Sequence, residues 1–267
     1  MTTDRMKWKV PIREKLAPAY PCPYCDGGTL RLVEGSLASE ETPASKALHG
    51  EEDWDPEWIR EVFACSLRCA NASCAGLVHA VGLARVEPSY DASDGYETVY
   101  PVRFMSPAPP MIRIPSTCPH EIEDHIRAAF SLFWVDPAAA GNRARSAIEE
   151  LLTALRVPRF DSRRASSGGV RRRRRLTLND RIDRLPAKTA GFAAKLHAIR
   201  WVGNEGSHSE LTKDDVLDAL EILEDVLRDV FAAKGGEIDR IVKQINKRRK
   251  PRSKKRTRRR RARSGEP

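Results

Sequence analysis

A chain of 267 residues, 40% of them hydrophobic and with a net charge of +10, is long enough to bury the cores of two small domains without disulfide support. No run of about eighteen apolar residues occurs, and the opening MTTDRMKWKVPIREK has no hydrophobic signal core. Membrane insertion and secretion are therefore set aside, and a cytoplasmic location is expected. The charge is uneven: residues 247–263, KRRKPRSKKRTRRRRAR, hold thirteen Lys or Arg and no acid, so the rest of the chain sums to −3. Arg163, Arg164, Arg171, Arg172, Arg173, Arg174 and Arg175 supply seven more positive charges, which leaves the remaining body near −10. Basicity carried on two segments predicts electrostatic appendages rather than a basic globular face.

Through residue 108, short runs rich in Val, Leu, Phe and Tyr surround the cysteines: TLRLVEG, EVFACSLRC, GLVHAVGLARV and ETVYPVRFM. Gly, Pro, Asp and Ser separate them, which predicts a small antiparallel sheet. The acidic stretch SLASEETPASKALHGEEDWDPEW between the first two runs has little periodicity and is expected to be a surface loop. Six cysteines in a reducing compartment argue for metal rather than disulfides. Cys22 and Cys25 have the two-residue spacing of a zinc knuckle, and Cys69 and Cys74 in CANASC form a wider second pair. Four thiolates would close a tetrahedral zinc shell, so the expected Zn2+ is structural. Cys65 is expected to be a buried strand cysteine and His79 a satisfied, half-buried strand histidine. Cys118 and His120, in TCPH, are a further possible metal pair, against which stands ordinary chemistry at a helix start.

Residues 109–117 are proline-rich and mark a linker, after which the periodicity becomes helical over 118–246. Ser116 or Thr117 is expected to cap a helix through about Trp134, with Ile122, Ile126, Phe130 and Phe133 on one face. A second helix over 138–155 carries Ile148, Leu151, Leu152 and Leu155, with Arg145 and Glu149 one turn apart. The basic loop 161–177 is not expected to pack. Asn179 is expected to cap a short helix holding Ile182 and Leu185, and a longer helix starts near Thr189. Thr212 and Asp215 form a T-x-x-D capping box before the stripe Val216, Leu220, Leu223, Leu227 and Val230, which Gly235 and Gly236 end. Ile238, Ile241, Val242 and Ile245 then lead into a basic tail over 247–267 that is expected to be disordered. The fold class expected is α+β: a zinc-ribbon-like antiparallel module followed by an all-α antiparallel bundle.

In FAAKLHAIRWVGNEGSH, the residues Phe192, Leu196, Ile199 and Gly203 share one helical face, while His197, Arg200, Asn204 and His208 fall on an adjacent one. Such a polar seam suits phosphodiester chemistry. A histidine takes the proton of a ribose 2′-hydroxyl, a guanidinium stabilises charge on the phosphate, and an asparagine orients either group. The structural alternative pairs Arg200 with Glu149 across two helices and uses Asn204 and His208 to tie the helix end. In the tail, Lys254, Lys255, Arg258, Arg259, Arg260 and Arg261, together with the arginines 171–175, are expected to neutralise nucleic-acid phosphates with little sequence preference.

The strings RSAIEELL, IRWVGNEGSHS and LTKDDVLDALEILEDVLRDVF resemble, in order and spacing, the bacterial family called domain of unknown function 4145, a relative of the HEPN helical domains. Arg200, Gly203, Asn204 and His208 match its R-x-x-G-N-x-x-x-H string, and Arg145 with Glu149 match the R-x-x-x-E of an earlier helix. The resemblance covers about residues 115–233. It implies a homodimer that binds nucleic acid, RNA above all, and acts as a metal-independent endoribonuclease of phage-defence or toxin-type systems. In that picture His208 is the acid/base, Arg200 the phosphate contact, and Asn204, Arg145 and Glu149 support them. Seven residues, two of them glycine, separate Arg200 from His208, which keeps a non-catalytic nucleic-acid-binding or adaptor module beside the nuclease.

Overall fold

The computed structural model describes residues 5–93, 95–162, 173–205 and 211–231. The chain is mixed α/β, an antiparallel sheet followed by helices. Six strands form the sheet: β1 Leu30–Leu32, β2 Ala38–Glu41, β3 Arg60–Cys69, β4 Leu77–Pro88, β5 Tyr96–Val99 and β6 Val102–Ser106. The long strands β3 and β4 pair along their length, β1 and β2 flank β3, and β5 and β6 both flank β4. In β3 the alternation expected of a half-buried strand is complete: Phe63, Cys65, Leu67 and Cys69 are buried, while Val62, Ala64 and Arg68 are exposed.

Two sheet expectations need correction. ETVYPVRFM is two strands rather than one, because Pro101 has no N–H for the ladder. Tyr100 exchanges hydrogen bonds with Ile12 there instead. The acidic stretch is not a plain loop either. Its Ala38–Glu41 segment is strand β2, and Thr42 caps a short helix α1, Pro43–Lys46. The buried Ser45 hydroxyl donates to Glu41 Oε1 at 2.6 Å and accepts the Arg60 N–H at 3.0 Å, which fastens the insert to β3.

The helices are α2 His120–Leu132, α3 Pro137–Ala154, α4 Leu178–Ile182, α5 Ala193–Glu205 and α6 Lys213–Phe231. The predicted apolar stripes form their core: Ile122, Ile126, Phe130, Phe133, Ile148, Leu151, Leu196, Ile199, Leu220 and Leu223 are all buried. The caps differ in part. Pro119 occupies the N-cap of α2 with no side-chain cap, and Thr117 instead donates to the Phe231 carbonyl at the end of α6. Asp136 caps α3. Thr177, not Asn179, caps α4, in a capping box with Asp180. The α6 box is as expected: Thr212 N–H donates to Asp215 Oδ2 at 2.9 Å, and Asp215 N–H to Thr212 Oγ1 at 3.3 Å. Gly235, Gly236 and the stripe from Ile238 to Ile245 lie outside the described residues.

The helical part is not purely helical. Strands β7 Phe160–Ser162 and β8 Arg173–Arg175 pair antiparallel, so part of the basic loop is a ribbon. Acids around its base offset the local charge that argued against packing, with Arg159 at 2.9 Å from Glu150, Arg174 at 3.3 Å from Asp180 and Arg184 at 3.1 Å from Asp161.

One hydrophobic cluster runs from sheet to helices. Trp8, Tyr20 and Trp134 pack in tilted and edge-to-face contacts with ring centroids 5.6–6.1 Å apart, and Met111 and Ile112 of the proline-rich stretch are buried. Arg5 pairs with Asp218 at 2.7 Å and Lys9 with Asp214 at 2.5 Å, which holds the N-terminal segment against α6. Among the described residues no helix is long and apolar enough to cross a membrane.

Candidate metal centre and helical seam

Cys22, Cys25, Cys69 and Cys74 converge, with all four sulfurs within 4.8 Å of one another. Each pair sits on a turn built by its own backbone. Cys22 N–H donates to the Gly28 carbonyl, and Cys69 N–H, at the end of β3, to that of Gly76. Within each turn the residue two positions on donates to the first sulfur: Tyr24 N–H to Cys22 at 3.3 Å and Asn71 N–H to Cys69 at 3.4 Å. The close contacts cross between the turns, with Cys22 to Cys74 at 3.8 Å and Cys25 to Cys69 at 3.7 Å. Metal–sulfur bonds of about 2.3 Å at tetrahedral angles place sulfurs about 3.8 Å apart. The donor set therefore fits a tetrahedral, thiophilic cation and leaves no open position.

Two glycines that spacing did not single out are part of this arrangement. A Cβ on Gly28 would lie 2.6 Å from the sulfurs of both Cys25 and Cys69, so only glycine lets the first turn close over the second. A Cβ on Gly76 would lie 2.3 Å from the ring of Tyr24, whose hydroxyl donates to the Leu77 carbonyl at 3.0 Å and ties the two turns. Burial raises the Cys22 thiol, while burial and the neighbouring thiols push Cys25 up to about 12; the Gly76 N–H lowers Cys74. Four thiolates this close repel unless a cation sits among them.

The other candidate ligands stand apart. Cys65 is buried on the core face of β3, where burial pushes its thiol up to about 11. His79 is exposed rather than half-buried, because its position on β4 faces away from the helices, and its Nδ1 lies 3.1 Å from Ser66 Oγ. Cys118 is buried, whereas the His120 side chain is 92% exposed, so the two form no metal pair.

In the helical part, α5 returns along α3. A Cβ on Gly203 would lie 2.6 Å from Arg145 Cβ and 3.0 Å from the Gly141 carbonyl, so this glycine permits the close approach of the two helices. Arg145 and Glu149 form an ion pair at 3.4 Å on α3, so Glu149 engages its own helix and not Arg200 among the described residues. Arg200 lies over the Trp201 ring at 4.7 Å, and Trp201 is 58% exposed. The Nε atoms of Arg145 and Arg200 are buried with no hydrogen-bond partner among the described residues. Asn204 is half-buried one turn beyond Arg200, and His197 is 3.1 Å from Asp183. His208 lies outside the described residues, as do Arg171, Arg172, Lys254, Lys255, Arg258, Arg259, Arg260 and Arg261. Arg173 contributes backbone to β8, and Arg174 and Arg175 are exposed on it.

Arg181 had no sequence signal of importance. It is 4% exposed and donates to the Glu149 carbonyl and Thr153 hydroxyl at 3.0 Å each, and to the Val157 carbonyl at 3.4 Å. Its charge lies against the carboxyl-terminal turns of α3, where the helix dipole is negative.

No curated protein and no solved structure matches the chain. Residues 10–107 match a family model described as Domain of unknown function (DUF8608), and residues 127–252 match one described as Domain of unknown function (DUF4145).

Proposed function

We propose that the four cysteines hold a structural Zn2+ in a ribbon-like module and that the helical part is a HEPN-like bundle that binds RNA. In this reading it acts as a cytoplasmic homodimer and a metal-independent endoribonuclease of a phage-defence or toxin-type system. Support for zinc comes from the sulfur separations of 3.7 and 3.8 Å and from a donor set of thiols alone. The observation that supports the helical reading is the approach of α5 to α3 at Gly203, which sets this residue of the Arg200–Asn204 turn against Arg145. Support for a phosphate contact comes from Arg200, which has no carboxylate partner among the described residues and lies over the exposed Trp201 ring. His208 is then the group that takes the 2′-hydroxyl proton, with Arg200 stabilising the phosphate and Asn204 orienting it. The arginines of β8 and the tail hold the RNA backbone.

A second reading, a non-catalytic nucleic-acid-binding or adaptor module, draws support from the Arg145–Glu149 ion pair and the His197–Asp183 contact, which already engage polar groups of the seam. The two separate in an assay of purified protein with labelled single-stranded RNA, structured RNA and DNA, in EDTA and across salt. Cleavage of RNA in EDTA, lost in His208→Ala and Arg200→Ala but partly kept after truncation at residue 246, is the expected result. Salt-sensitive binding without cleavage would establish the second reading instead. Metal analysis tests the zinc separately: about one Zn2+ per chain is expected, absent from Cys22→Ser, and a folded, metal-free wild-type protein would refute it.

A further inference from the structure

The face of the sheet turned away from the helices is apolar at its centre. Register sets Val62 opposite Leu83, Ala64 opposite Val81, and Val81 opposite Phe104, and directly opposed residues share a face. Their neighbours Phe63, Ala80 and Met105 point the other way, into the core. Val62, Val81, Leu83 and Phe104 are 55, 41, 47 and 45% exposed. Polar residues at these positions would cost the fold little, so a contiguous apolar patch here marks an interaction surface.

Arginines bound the patch at both ends. Arg60 opposes Arg85 at one end, and Arg68 opposes Arg31 across the β1–β3 pair at the other. Arg85 pairs with Glu87, but Arg60 donates to the carbonyls of Glu57 and Ile59 and Arg68 to that of Ala75. Neither Arg60 nor Arg68 has a carboxylate partner among the described residues. From Arg60 to Arg68 the strand advances about 26 Å at ~3.3 Å per residue, the length of a helix of about 17 residues.

Charge and shape separate the occupants this face could take. A second copy packed face to face would bring like-charged arginine rows together, and the basic stretch 247–263 would meet the same repulsion. A nucleic acid would satisfy the arginines, but bases stack on aromatic rings, and the centre of this patch is aliphatic apart from Phe104. We infer that this face docks an amphipathic helix of a partner protein, its apolar stripe on Val62, Val81, Leu83 and Phe104 and its acidic ends on the two arginine rows. The inference is independent of the cysteine cluster and of the α3–α5 seam.

Fluorescence anisotropy with the full chain tests it, using two labelled synthetic 17-residue helices that share a Leu/Ala stripe and carry Glu or Lys at both ends. The Glu helix should bind at least tenfold more tightly than the Lys helix. The double variant Val62→Ser/Leu83→Ser, which keeps every arginine and the basic tail, should weaken the Glu helix more than tenfold with unchanged circular dichroism and melting. Arg60→Glu/Arg68→Glu should remove the preference for Glu. Equal binding of the two helices, or undiminished binding by the double serine variant, overturns the proposal. Binding of a single-stranded oligonucleotide that Phe104→Ser abolishes would assign the face to nucleic acid, and self-association in sedimentation velocity that the double serine variant abolishes would assign it to a second copy; either outcome also overturns it.

Discussion

The cysteine cluster and the α3–α5 seam are both places where the chain gathers reactive side chains, but they do so in opposite ways. The cluster closes on itself: four sulfurs from two turns meet at tetrahedral spacing, and a glycine on one turn is pressed against sulfurs of both. The seam is not closed by its own contacts: the Nε atoms of Arg145 and Arg200 are buried without a hydrogen-bond partner among the described residues, and the flanking Trp201 is exposed. A closed donor shell stabilises a fold, because no ligand position is left for substrate. Buried guanidinium donors left without a partner cost desolvation, which the proposed phosphate would offset.

Removing the proposed metal is expected to break this contrast most severely. Chelation, or Cys69→Ser, is expected to unfold the N-terminal module, since metal affinity in such sites is on the order of 10 kcal/mol and is coupled to folding. Loss of cooperative thermal unfolding on adding a chelator, restored by Zn2+, checks it. A metal-free protein melting as the wild type would sink the structural role.

Arg181→Met should destabilise by about 2 kcal/mol, because the Glu149 carbonyl and Thr153 hydroxyl lose a charged donor in a buried setting. Denaturant titration measures it, and an unchanged midpoint would show that removing a buried charge compensates fully. Gly203→Ala tests the close approach of α5 to α3. Its new methyl group meets Arg145 Cβ at 2.6 Å, so a loss of about 1–3 kcal/mol is expected, with Gly50→Ala as a control because nothing lies within 4 Å of that position.

The smallest effect concerns the α6 cap. Donation from the Thr212 hydroxyl and N–H holds the Asp215 carboxyl below the usual carboxylate range. A lowered folded-state pKa means that its contribution is fully present above about pH 4, the unfolded value, and is lost as pH falls through the folded value. Asp215→Asn should cost about 0.5–1 kcal/mol at neutral pH, with the difference from wild type shrinking in acid melts. A difference that persists in acid would place the effect elsewhere.

How far each region was legible follows from the range of the interactions that build it. Cys22 and Cys25 announce a paired-thiol turn within four residues, and the stripes of α2 and α6 are read directly from helical spacing, since each reflects contacts within a few turns of chain. The insert was misread for the opposite reason. Its strand β2 is specified by pairing with β3 about twenty residues later, and its own residues, Ala-Ser-Glu-Glu, carry no strand propensity. The cap of α4 was misplaced because Asn179 and Thr177 are both competent caps, and reciprocal bonding with Asp180 decided between them. Arg181 was invisible because a cation on a five-residue helix reads as surface until the end of α3 is laid against it.

Local periodicity and thiol spacing thus determined by themselves that this chain builds an antiparallel sheet around paired cysteines and then a set of amphipathic helices. Only the tertiary structure decided that the two pairs meet as one tetrahedral set, that Gly28 and Gly203 are the positions that allow close approach, and that an apolar sheet face is left open between arginine rows. Those features arise from distances between residues far apart in the chain. Spacing along a sequence encodes which face a residue occupies, not which other face it will meet.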